Sequence, residues 1–367
     1  MTCRAGILVA AAAGAIACVD YAPVRVGVVS SGEGVAGARF AAAEINRTSG
    51  VRARPLVLRV AADGDVQTQT AVVAAESLST DPTVIAVVGH SNSSASLAAA
   101  QIYNLRRVVQ VAPTSSSARM TGAGPYTFRL VASDVHQARF LADELVRRSV
   151  GAVAVFYVND DYGKPLFQEL SARLAQSHVR ITVEASHSAA DTLPDAESSV
   201  AEMVRSGTRD VVWLGRVPQL QRLLPVLRRH VPNARILGGD GIDTREVTAN
   251  ATGVFTGITH ACFVDVNGAR PELASLRERY RARTGRALTA ELALTYDAVM
   301  LVAVAAREAG PRRGAILDYM RSLGRTRPVY RGATRDIAFD EGGDPRPSYC
   351  LAEIAPLTDG AARPETR

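Results

Sequence analysis

The segment TVIAVVGHSNSSASLAAAQIYNL, residues 83–105, contains the repeating unit of the fold. A run of apolar, β-branched residues stops at Gly89-His90, four serines and an asparagine follow, and the pattern then turns helical. A short continuous apolar run bounded by turn residues reads as a strand buried on both faces. A cluster of hydroxyls at the mouth of such a strand either reacts with something or holds something.

Outward from this unit the alternation repeats. VRVGVVSS leads to AGARFAAAEINRT, PLVLRVAAD to QTAVVAAESLST, and VVQVAP to a second serine-rich loop. Buried strands separated by helices predict an α/β fold with a parallel sheet covered on both faces. After YTFRLVASD the pattern starts again, with AVAVFYV, VRITVEAS, DVVWLG and RILGG as strands between amphipathic helices. A second doubly wound lobe follows. GITHACFVD then leads to three further helices, and DIAFDEGGDPRPSYCLAEI reads as two strands joined by a Gly/Pro turn. No Pro/Gly-rich linker separates the lobes, and helices return after the second sheet. The chain is therefore expected to cross between lobes more than once, leaving a cleft whose crossing strands act as a hinge. The expected limits are 22–131 with 265–335 for the N-terminal lobe and 132–264 with 336–356 for the C-terminal lobe, with 357–367 as a disordered tail.

The 367 residues give room for two ordinary domains, and 47% hydrophobic with 21% charged residues describes a soluble globular protein. The formal charge is +6, but Lys164 is the only lysine and the arginines are spread along the chain. That pattern suits solvated helix faces and argues against a nucleic-acid partner. Residues 1–18, MTCRAGILVAAAAGAIAC, have the layout of a signal peptide: Arg4, a short apolar stretch and small residues before Cys18. Lipoprotein processing would leave Cys18 acylated and the protein anchored at the periplasmic or cell-surface face of a membrane. Ala15-Ile16-Ala17 equally serves simple cleavage. After export, Cys262 and Cys350 remain, either as a disulfide or as two buried small hydrophobes. No Cys-x-x-Cys or paired-histidine spacing points to a metal or other cofactor.

Three readings of the serine cluster compete. A nucleophile elbow needs a second glycine where Ser93 stands. A dinucleotide-binding enzyme would use Gly32, Gly34 and Gly37, a formal Gly-x-Gly-x-x-Gly, but Glu33 would set a negative charge among the phosphates. A binding site would use the N-termini of helices gathered at the carboxyl edge of the sheet, with hydroxyls adding donors without charge. Capping of the helix by Ser93 or Ser94 is the plain alternative. The second cluster, VAPTSSSAR at 111–119, ends the neighbouring strand on the same edge and favours a cradle.

Taken in order, VRVGVV, VVGHSNSSASLAAAQIY, VQVAPTSSSARMT, YTFRLVASDVHQA, VNDDYGK, RDVVWLG, RILGGDGI and LTYDAVMLVAVAAREAG resemble the leucine/isoleucine/valine-binding protein family of type I periplasmic binding proteins, from Val24 to about Ile354. The resemblance implies two Rossmann-like doubly wound lobes joined by three crossover strands, a Venus-flytrap that closes on an amino acid and delivers it to an ABC transporter permease. A ligand-sensing receptor module of the same fold is the second reading; neither is an enzyme. The resemblance places Ser93 and Ser116 on the ligand's α-carboxylate, with main-chain contacts from Thr114 and Ser115. It places Asp134 and Asp240 toward the α-ammonium and Tyr162 as a pocket aromatic. Arg216 stands where many members carry an aromatic residue. Facing the cleft, it would suit an acidic or otherwise polar ligand side chain; at the rim it would lie in solvent. A zwitterion in a desolvated cleft needs hydroxyl and N–H donors at one end and a carboxylate at the other, which this set supplies.

Overall fold

The computed structural model describes residues 22–63, 68–188, 196–250 and 252–356. The expected signal peptide with Cys18 and the tail 357–367 lie outside the described residues.

The first lobe is laid down by β1 (Val24–Val29), α1 (Gly32–Arg47), β2 (Leu56–Ala61), α2 (Thr68–Thr80), β3 (Val84–Gly89), α3 (Ser93–Leu105), β4 (Val109–Ala112) and β5 (Thr127–Arg129). Its strands are all parallel, in the order β2-β1-β3-β4-β5. The central strand β3 is buried along its whole length, whereas in the edge strand β2 only Leu56 is buried and the rest is half-buried or exposed. The continuous apolar run of β3 thus marks a strand covered on both faces.

The second lobe comprises α4 (Asp134–Arg147), β6 (Ala152–Val158), α5 (Gly163–Leu174), β7 (Arg180–His187), α6 (Ala196–Arg205), β8 (Asp210–Leu214), α7 (Val217–His230), β9 (Arg235–Gly238), α8 (Arg245–Ala249) and β10 (Thr259–Cys262). The chain then returns to the first lobe with α9 (Pro271–Thr284), α10 (Ala290–Glu308), α11 (Arg313–Ser322) and the short pair β11 (Tyr330–Arg331) and β12 (Asp336–Ile337). It crosses back once more to end in β13 (Cys350–Glu353), antiparallel to β10 at the edge of the sheet β13-β10-β9-β8-β6-β7. These are three crossings, after β5, after β10 and before β13. The two strands expected around the Gly/Pro turn therefore belong to different sheets. The 340–349 stretch between them is a crossing, because β12 finds its partner in β11 and β13 finds its own in β10.

One core joins β1, β3, β4 and α1 to α9, α10 and α11, and Phe263, Val264, Ile337 and Phe339 enter it from the crossing segments. α10 is buried nearly all round, as its largely apolar sequence requires. It lies close against α1 because α1 presents small residues. A Cβ on Gly37 would stand 2.2 Å from the Leu292 carbonyl oxygen, and one on Gly34 would stand 2.0 Å from Ser30 Oγ. Gly32, Gly34 and Gly37 are therefore turns of a packed helix. They form no phosphate loop, which overturns the dinucleotide reading. Cys262 and Cys350 lie opposite each other across β10 and β13, with Cα atoms 4.9 Å apart, and form a disulfide.

Candidate functional site

The carboxyl edges of β1, β3 and β4 face the second lobe across a cleft of about 630 Å3. From the first lobe it is lined by Ser31, Glu33, Ser91, Asn92, Ser93, Thr114, Ser116 and Glu291. From the second, Tyr162, Arg216, Asp240, Asp243 and Arg245 face them.

The N-cap of α3 is Asn92, whose Oδ1 accepts from the Ala95 amide at 2.9 Å. Neither Ser93 nor Ser94 serves as the cap. Ser93 Oγ instead accepts from the Ser117 amide at 3.2 Å, so its hydroxyl hydrogen remains to be donated. This bond ties the two serine-rich loops together. Thr114 Oγ1 donates to the Ser91 carbonyl at 2.8 Å and also joins them. Ser115 turns away from the cleft: its side chain is fully buried, with Oγ 2.8 Å from Ser96 Oγ. Only its main chain can act in the role the sequence reading gave it.

Ser116 is held from behind. The buried Arg129 guanidinium donates to the Ser116 and Ser117 carbonyls at 2.9 and 2.7 Å. Its other face makes a bidentate pair with Asp344, at 2.7 and 2.6 Å. Asp344 belongs to the last crossing segment, so one arginine fixes both the serine loop and the strap between the lobes. The sequence reading missed Arg129, since FRL in a strand looks like ordinary packing.

Asp134 and Asp240 do come together, through Gln137. Gln137 Nε2 donates to Asp134 Oδ1 at 2.7 Å and to Asp240 Oδ2 at 2.9 Å, and its Oε1 accepts from the Asp240 amide at 2.8 Å. Asp240 lines the cleft, but Asp134 is fully buried behind Ser116 and Gln137 and is not on the cleft wall. Its Oδ2 is buried without a hydrogen-bond partner. Burial, then the neighbouring Asp240 carboxylate, raises the Asp134 pKa well above the ordinary carboxylate range. Burial likewise pushes Asp240 up to about 7, against the pull of hydrogen bonds from Tyr162 and Gln137. The pair therefore retains a proton near neutrality. A direct contact between Asp134 and a ligand ammonium does not fit this position; Asp134 acts on Asp240 through the amide between them.

Tyr162 precedes α5 and is buried against Asp240, with its hydroxyl accepting from the Gly241 amide at 3.0 Å. Arg216 does face the cleft, with its guanidinium 5.9 Å from the centre of the Tyr162 ring. Its charge is already met, because Nη1 is bonded to Asp160 Oδ2. An anionic ligand group would have to compete with that carboxylate.

Among the described residues, two ion pairs span the cleft. Arg245 Nε and Nη2 each lie 2.8 Å from an oxygen of Glu33, and Arg119 on the first lobe is bonded to Asp161 on the second. The Glu33 that sequence reading counted against phosphates is thus half of an interlobe contact. Glu291 accepts from Ser31 Oγ at 2.6 Å and from Ser30 Oγ at 3.2 Å, both on Oε1.

The serine nucleophile reading can be tested on the same geometry. Ser91 N and Oγ both donate to Asp63 Oδ2, and His90 Nδ1 lies 2.7 Å from Asp63 Oδ1. His90 Nε2 faces Tyr103 at 3.4 Å and, among the described residues, no serine. Asp63 orients the loop, and the proton path from serine to histidine is missing.

The receptor family ligand binding region model matches residues 35–356 of the chain. The Leu/Ile/Val-binding protein homolog 1 of Brucella abortus (strain 2308) is 24% identical over 328 residues, covering 88% of this chain and 86% of its own. The Desulfitobacterium hafniense ABC transporter substrate-binding protein, solved in complex with Leu, has a TM-score of 0.78 at 22% identity and covers 92% of this chain and 98% of its own. The Streptococcus pneumoniae branched-chain amino acid transporter substrate binding protein LivJ, in complex with isoleucine, reaches 0.81 at 21% identity, with 91% and 96% covered. At these identities the structural likeness establishes the two-lobed type I periplasmic binding protein fold. Since the family model matches most of its length, the chain belongs to the receptor ligand-binding-region family.

Proposed function

We propose that the protein is an extracytoplasmic solute-binding protein that closes on an amino acid or amino-acid-like ligand and hands it to an ABC transporter permease. The observation that carries this reading is one cleft with the hydroxyls of Ser93 and Ser116 and the main chain of Thr114 on one wall, and the carboxyl of Asp240 on the other. In this arrangement the serines and the N-terminus of α3 take the α-carboxylate, Asp240 takes the α-ammonium, and Tyr162 packs beside it. Asp134 and the Ser115 main chain support them. A ligand gripped by both walls favours the closed form by its differential affinity, and no bond is broken. The relatives are named as binding proteins, in keeping with a non-catalytic role.

The lobe limits of 22–131 with 265–335 and 132–264 with 336–356 belong to this reading. So do the signal peptide, the acylated Cys18 and residence at the periplasmic or cell-surface side of a membrane. A receptor module that senses the same ligand is the second reading, favoured by the name of the matching family.

A thermal-shift screen against amino acids, amides, small carboxylates and nicotinamide dinucleotides tests the proposal, because a ligand that binds only the folded state raises Tm. Stabilisation by amino acids that disappears in Ser116→Ala and Asp240→Asn supports it. Stabilisation by dinucleotides alone would sink it.

A further inference from the structure

The charges lining the cleft do not balance, and the imbalance bears on the ligand's side chain. Both arginines on the wall are already paired, Arg216 with Asp160 and Arg245 with Glu33. Four carboxyl groups on the wall, Asp240, Asp243, Glu246 and Glu291, have no basic partner among the described residues; of these Glu246 is exposed and accepts from Gln221. An α-ammonium answers only Asp240.

Glu291 opens the first turn of α10, and Asp243 lies across the cleft from it in the second lobe. Both hydrogen bonds that Glu291 accepts, from Ser30 and Ser31, fall on Oε1, and its Oε2 has no partner among the described residues. The two serines hold the carboxylate in place while leaving its second oxygen free. Asp243 is similarly anchored, with Oδ2 accepting from the Phe263 amide at 3.0 Å. These groups are set on the wall of a cavity of about 630 Å3, roomy enough for an amino acid with a long side chain. Burial raises the pKa of both acids, Asp243 to about 7, so a neutral aliphatic side chain would leave them either protonated or ionised without a partner, whereas a cation beside them stabilises the charged form.

We propose that the cleft selects an amino acid whose side chain ends in a cation, a diamino or guanidino acid, with Glu291 as the residue that receives that charge and Asp243 facing it from the second lobe. This rests on the amino-acid reading above. It reverses the preference that Arg216 would impose if its charge were free.

The test is isothermal titration near neutral pH with lysine, ornithine, arginine, leucine, glutamine and glutamate, and with the decarboxylated amines cadaverine and agmatine. Basic amino acids are expected to bind at least about ten-fold more tightly than leucine or glutamine. Glu291→Gln keeps an acceptor for Ser30 and Ser31 but removes the charge, and it should shrink the basic-to-neutral ratio by about ten-fold or more. Tighter binding of neutral or acidic amino acids by the unsubstituted protein overturns the proposal without any variant. So does a basic-to-neutral ratio that persists in Glu291→Gln. Amines binding as tightly as their parent amino acids would support the charge assignment while removing the serine cradle from the reading. Failure of every amino acid and amine to bind would overturn both.

Discussion

Glu33, in the first turn of α1, and Arg245, in the first turn of α8, meet across the cleft in a bidentate pair with both contacts at 2.8 Å. Arg245 Nη2 also donates to the Ala287 carbonyl at 2.8 Å, and Arg286 and Thr289 add to Glu33 at 2.9 and 3.1 Å. Despite partial burial, these hydrogen bonds and charges hold the Glu33 carboxyl below its ordinary pKa. One second-lobe side chain is thus gripped by two first-lobe acceptors, so the pair exists only while the lobes are together.

Replacing Arg245 with alanine should therefore favour the open form. The pair is partly exposed, so its contribution is near the upper end of the surface range, about 1 kcal/mol, or roughly a five-fold loss of ligand affinity. Titration of Arg245→Ala, Glu33→Gln and the double variant measures the coupling. If the single losses simply add, the pair does not stabilise closure.

Arg129 bears on stability more than on affinity. It is buried, bidentate to Asp344 and bonded to two carbonyls of the serine loop. Arg129→Ala strands Asp344 and should cost about 3–5 kcal/mol in denaturant unfolding. Arg129→Lys keeps the charge but not the fork and should recover only part of it. A loss under about 1 kcal/mol for the alanine variant would refute this role.

The Asp134–Gln137–Asp240 group predicts a pH dependence. Tyr162, Tyr349, Asp243 and Arg129 are the other titratable groups acting on these two carboxyls. A carboxyl whose pKa is higher folded than unfolded stabilises the fold below the unfolded value and loses that contribution as pH rises through the folded one. For Asp240 the window runs from 3.8 to about 7. The ligand-free protein should lose stability over that window, by at most about 1.4 kcal/mol per pH unit per group. Asp240→Asn should flatten the slope. An ammonium ligand prefers the ionised form, so its affinity should rise with pH up to about 7 and its binding should release protons. A slope unchanged in Asp240→Asn would rule out this assignment.

The disulfide spans 88 residues and joins β10 to the strand that ends the last crossing. In the chain-entropy account a loop of that length contributes about 4–5 kcal/mol. Cys350→Ser, or reduction, should lower unfolding stability by about 2–5 kcal/mol while far-ultraviolet dichroism retains the native helix content. No change on reduction would show that the bond adds nothing to the fold.

Much of the fold was legible in the pattern of buried strands and helices, because a strand covered on both faces must be mainly apolar, as β1, β3 and β6 are. The same periodicity located the two serine-rich clusters that hold Ser93 and Ser116, since loops following such strands collect at one edge of a sheet, while Asp240 was singled out by the family resemblance. Several features were not legible. Asn92 rather than a serine caps α3, a choice made by local backbone direction. The glycine pattern of α1 reflects the approach of α10, which lies more than 250 residues later. Ser115 points inward to meet Ser96 and His90, and Asp134 lies behind the wall where Gln137 and the Ser116 carbonyl hold it, contacts that no local pattern announces.

By itself, then, the sequence determined the α/β class, the two lobes and the edge on which hydroxyls gather, since hydrophobic periodicity and turn chemistry act over a few residues. Only the tertiary structure decided which charges remain unpaired in the cleft. Arg216 is met by Asp160 and Glu33 by Arg245, while Glu291 faces the cavity with a free oxygen. Coulomb energy and desolvation depend on distances between residues far apart in the chain, and these arise only when the lobes have folded and met.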